Sequence, residues 1–144
     1  MRPHPYLRAY MAGIVVPTIF LLVIMTVLGV FRYYAEAPGQ FVLGLPARPL
    51  ERAIVFPMAV VPNLWGVWNM LHLALRSRAR LSLGVHGAVL PLLLIPAGVT
   101  LAGLLDVFTI PLRSAMPIAP IGMAVYYLAW KYAVGFLNDE IGIG

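Results

Sequence analysis

Apolar residues run through this chain in four long blocks with short polar breaks between them. The blocks cover about residues 9–31, 53–75, 83–105 and 116–137. Each is close to the roughly 20 residues a helix needs to cross a hydrocarbon layer about 30 Å thick. The pattern predicts an all-α integral membrane fold: four antiparallel transmembrane helices in one small bundle, with residues 1–144 as a single domain.

The breaks refine this picture. Residues 34–52 form the longest, punctuated by Pro38, Gly39, Gly44, Pro46 and Pro49. Its apolar middle, Phe41 to Leu45, is expected to rest in the membrane interface. The turn Arg76-Ser77-Arg78-Ala79-Arg80 separates the second and third blocks, and Asp106, Pro111 and Arg113 mark the link to the fourth. Short links force neighbouring helices to run antiparallel. The first block, preceded by Arg2 and Arg8 and followed by Ala35-Glu36-Ala37, resembles a signal peptide with its cleavage site. Its apolar run exceeds the roughly 7–15 residues of a signal core, and Pro38 would follow the cut, so it reads as a retained helix.

Composition strengthens the membrane reading. The chain is 62% hydrophobic and 10% charged, with a mean hydropathy of +0.92, against about 45–50% and 25% for a soluble domain. A soluble fold of this length leaves too much surface exposed to hide that apolar content. The net charge is +5, but the basic residues sit at helix ends. That points to topology and anionic lipid headgroups, with no nucleic-acid partner. With the N-terminus inside, the inner side carries Arg2, Arg8, Arg76, Arg78 and Arg80, and the outer side Arg32, Arg48, Arg52 and Arg113 near Glu36 and Glu51. The arginine turn favours both termini in the cytoplasm of a cell (inner or plasma) membrane. The absence of cysteine excludes disulfides, thiolate metal sites and a cysteine nucleophile.

Polar residues inside a span are costly and are functional candidates for that reason. The second block is densest in them: Asn63, Trp65, Trp68, Asn69 and His72 follow Pro62. Trp65, Asn69 and His72, spaced i, i+4, i+7, share one helix face. Pro62 frees a carbonyl one turn earlier, the kind of break on which transporters build sites. The competing reading is structural, because Asn commonly serves as interhelical glue. In the fourth block Lys131 lies about two turns inside the end, with Tyr127 on the same face. It reads either as a contact for an anionic ligand or as a snorkelling lysine. If the fourth helix faces the second, Lys131 shares a level with Asn69.

His72 and His86 are equally distant from Ala79 in the basic turn, as are Pro62 and Pro96. Equal distance places the two histidines at one depth on adjacent helices. There they would suit axial haem ligation, a metal or a quinone oxygen, or a bland interfacial role. Asp106, near the outer end of the third block, reads as a structural ion pair with Arg113, or with Arg48 or Arg52. Small residues four apart, Ala9 and Gly13, Gly84 and Ala88, Gly98 and Ala102, predict close helix packing.

No phosphate loop, zinc-protease pattern or nucleophile elbow is present, so no enzyme is expected. Three classes stay open. The first is an oligomeric transporter, channel, or lipid- or small-molecule-binding protein with a site at Asn63, Trp65, Trp68, Asn69, Tyr127 and Lys131. The second is an accessory or anchor subunit of a larger complex. The third is a haem- or quinone-binding subunit using His72 and His86. Four helices enclose little interior, so a homo-oligomer or larger assembly is expected.

Overall fold

The computed structural model describes residues 4–34, 41–42, 45–78, 81–104, 106 and 111–144, with side-chain surroundings for 4–30, 60–78, 81–104, 106 and 111–144. Among these residues the chain is helical apart from one two-residue strand pairing. Helix α1 spans Pro5–Tyr34. Strands β1 (Phe41–Val42) and β2 (Leu45–Pro46) pair antiparallel, with Val42 opposite Leu45. Helix α2 spans Ala47–Leu75 and α3 Leu83–Leu104. A fourth helical stretch then runs without a gap. It consists of α4 (Leu112–Ala115), a 3₁₀ turn (Met116–Ile118), α5 (Ala119–Leu128), a π-helical segment (Ala129–Val134) and α6 (Gly135–Glu140).

Helices α1 and α2 and the fourth stretch extend beyond the apolar blocks that predict them, and α3 matches its block to within a residue. Helix α2 begins at Ala47, so the longest link is shorter than expected. Pro49 falls in its first turn, where a missing amide costs nothing. Internal prolines do not break α1 at Pro17 or α3 at Pro91 and Pro96. Ser82 starts α3, its hydroxyl accepting from the Val85 amide at 3.4 Å, as an N-cap does. Asp106 follows α3 with φ +52°, a left-handed conformation that the short Asp side chain tolerates better than most. The chain closes on Gly142, at φ +68°. This glycine lets the amides of Ile143 and Gly144 turn back onto the Asn138 carbonyl, in the manner of a glycine C-cap.

Among the described residues two segments, Pro5–Val30 and Leu83–Leu104, are long and apolar enough to cross a membrane. Only 17% and 22% of their apolar stretches is buried against the rest of the chain. The core helix of a soluble protein would be mostly covered, whereas here Phe20, Leu104 and Ile121 lie 62%, 77% and 68% exposed. The cleavage-site residues, Glu36, Arg2 and Arg80 lie outside the described residues. So do the side chains of Arg32, Arg48, Glu51 and Arg52, and with them most of the charge count.

Glycines set the closest approaches. A Cβ on Gly13 would lie 2.6 Å from the Trp65 carbonyl oxygen and 2.8 Å from Gly66 Cα, so α1 and α2 touch backbone to backbone there. On α3, a Cβ on Gly87 would lie 2.0 Å from Trp130 Cγ. Trp130 is fully buried and forms the core with Trp65, Leu90 and Val134. The predicted packing residues therefore divide. Ala9, Gly13 and Gly84 pack inside the chain, whereas Gly98 faces open space. Gly87→Ala is expected to destabilise the fold by about 1–3 kcal/mol through overpacking, while Gly98→Ala, at an open helix-interior position, is expected to stabilise the isolated chain by up to about 1 kcal/mol. Thermal unfolding of the two variants in detergent checks the contrast.

Candidate functional site

The polar residues of α2 enter three separate arrangements. The innermost is built on Asn69, 1% exposed. Its amide nitrogen donates to the Ala9 carbonyl of α1 at 2.8 Å and to Oδ1 of Asn138 in α6 at 2.8 Å. Asn138 returns a bond from its own Nδ2 to Asn69 Oδ1 at 3.1 Å. A reciprocal amide pair with a third bond to a backbone carbonyl uses both Asn69 donors and its oxygen. Both Asn69 donors are thus engaged, and its oxygen accepts one bond. Above this pair the ends of the chain are clamped: Arg8 donates to the Ile141 carbonyl, and Arg76 donates to the Ile143 carbonyl at 2.8 Å.

The second arrangement is aromatic. The Trp65 ring lies 4.9 Å from Tyr126 and 5.3 Å from Trp130, centroid to centroid, both tilted. These distances suit attractive ring pairs. Trp65 is 4% exposed and belongs to the packed interior. Trp68 and His86 lock α2 to α3. The Trp68 indole donates to the His86 carbonyl at 2.9 Å, and His86 Nε2 lies 3.2 Å from the Trp68 carbonyl. Their rings stack at 4.8 Å and 26°. His72 completes the group, its ring centre 4.9 Å from that of His86. The depth argument from Ala79 thus places these two rings side by side. Axial haem ligation needs them on opposite faces of a porphyrin, and rings in direct contact leave no room for one.

The third arrangement lies on the surface. Lys131 is exposed, and its ammonium sits 5.7 Å from the Tyr127 ring centre and 5.2 Å from that of Tyr132. Both distances fall within cation–π range. The expected site is therefore not one place. Asn69 and Trp65 are interior, Lys131 is exposed, Tyr127 is half-buried against Gly84 of α3, and Asn63 is exposed and accepts from the Tyr10 hydroxyl. Asp106 and Arg113 are both exposed, and among the described residues no ion pair joins them.

Sequence reasoning places Trp130 and Tyr132 only as aromatics crowding near Lys131, and gives Asn138 no role. Asn138 reads as the start of a polar tail, Asn138-Asp139-Glu140. Its spacing from Trp130 and Val134, i, i+4, i+8, was the available signal, and all three side chains are buried. For Tyr132, adjacent to Lys131 in the chain, the structure adds the cation–π contact itself.

Asn69→Ala leaves the Asn138 amide unpaired in the interior and removes the side-chain bond to the Ala9 carbonyl, at an expected cost of about 1–3 kcal/mol. The double variant with Asn138→Ala should cost less than the sum of the two single changes. Equilibrium unfolding in bicelles of both single variants and the double variant measures this. No family model, curated protein or solved structure matches the chain.

Proposed function

We propose that this chain is an integral membrane protein of four antiparallel spans with both termini cytoplasmic. Its proposed role is to bind an anionic amphiphile, such as a phospholipid headgroup, on the lipid-facing side of its fourth span. One observation carries the binding site: Lys131 is exposed between two tyrosine rings within an otherwise apolar stretch. An ammonium there, backed by two aromatic faces, suits a phosphate that approaches from the headgroup layer. The four-span arrangement is supported by pairings whose numbers move in opposite directions along partner helices. Ala9 meets Asn69 and Gly13 meets Trp65; Gly87 meets Trp130 and Gly122 meets Pro91. The exposed apolar side chains on α1, α3 and α5 support lipid as their surroundings.

The packed interior weighs against a conduction path within one chain. Trp65, Leu90, Trp130 and Val134 fill it, and its asparagines bond to each other. A transport role would need a pathway between copies. The accessory-subunit reading has one supporting feature, the open position at Gly98 on α3, where a partner helix could approach closely.

Native mass spectrometry of the protein released from phosphatidylglycerol and phosphatidylcholine mixtures tests the proposal. Lys131→Gln should lower retention of the anionic lipid about fivefold and leave phosphatidylcholine unchanged. Arg113→Gln, an exposed basic residue beyond the start of the fourth stretch, should change neither. Equal loss of both lipids in Lys131→Gln, or no loss, overturns the site.

A further inference from the structure

We propose that His72 and His86 form a binding site for a late first-row divalent cation, Zn²⁺ or Cu²⁺ in class, at the basic turn joining α2 and α3. The site is independent of the lipid-facing lysine. Three observations carry it.

The first is spacing. Two imidazoles bound side by side to one tetrahedral ion through metal–nitrogen bonds of about 2.0–2.1 Å have ring centres roughly 5 Å apart. The observed separation is 4.9 Å, with the ring planes inclined at 56°. That relation excludes a porphyrin between the rings but suits a shared ion beside them.

The second is the tautomer of His86. Its Nε2 lies 3.2 Å from the Trp68 carbonyl oxygen, which can only accept. Nε2 therefore carries the proton, and a neutral His86 presents the lone pair on Nδ1. A ring N–H held by a backbone carbonyl is the outer-shell arrangement that orients metal-binding histidines and raises their basicity. The Trp68 ring stacked at 4.8 Å and the Trp130 ring at 6.1 Å restrict its rotation. His86 is thus preorganised as a donor before any ion arrives.

The third is access. His86 is buried, but His72 is part-exposed, and its ring makes no hydrogen bond among the described residues. Both residues lie about one turn from the Arg76–Arg78 turn, where water can supply the remaining ligands. No third histidine or carboxylate joins them among the described residues, so the site offers two nitrogens and open positions. Arg76, one turn beyond His72, opposes a cation by its charge, although its guanidinium is engaged with the Ile143 carbonyl. Binding therefore rests on neutral imidazole donors, which favour Cu²⁺ and Zn²⁺ over Mg²⁺ or Ca²⁺.

The test is calorimetric titration of ZnCl₂ into the full chain, without a histidine tag, in detergent micelles. Expected is one ion per chain, an affinity lowered about tenfold or more in His72→Ala, and no response to MgCl₂. His4→Ala removes an exposed histidine outside the pair and should bind as the unaltered protein does. His86 also holds α2 to α3, so its substitution could act through the fold. His72→Ala avoids this: its metal-free thermal midpoint should be unchanged while the zinc-induced rise is lost. Unaltered zinc binding in His72→Ala, or loss in His4→Ala, overturns the site.

Discussion

A polar group buried in an apolar medium must find its partner within the protein, because neither lipid nor packed side chains can supply one. Asn69 and Asn138 satisfy each other under this constraint. The third bond, to the Ala9 carbonyl, brings α1 into the same contact. Three helical elements far apart in sequence are thereby held at one level. Tryptophans 65 and 130 pack below them, and the arginine clamps on the terminal segment lie above. Apolar packing is non-directional and would tolerate helices that rotate or slide. The amide pair does not tolerate this, so it fixes the register that the apolar faces leave open.

That register has a consequence for chemistry. With the asparagines occupied and the tryptophans packed, the reactive or charged groups that remain available are displaced outward. Lys131 is held against Tyr127 and Tyr132 on the outer side of the fourth stretch, and His72 stands at the edge of the α2–α3 contact beside His86. The interior organises these groups without itself presenting a site. The π-helical segment contributes to both effects, since it carries Trp130 inward and Lys131 outward within six residues.

Much of this was legible in the sequence by itself. Block length and composition determined four helical stretches, because a helix meets its own backbone hydrogen bonds and needs only length and apolarity to be recognised. The small residues Ala9, Gly13 and Gly84 marked true close contacts, since only a missing or minimal side chain lets helices approach. The symmetry about Ala79 located the histidine pair, because a short turn returns the chain at equal depth. What only the tertiary structure decided is which way each face turns. Asn69 and Lys131 looked like one site, yet they face opposite surroundings, inward to Asn138 and outward to solvent or lipid. That choice depends on a partner 69 residues away and on a local change of helical pitch, and neither leaves a mark in the spacing of residues along one helix.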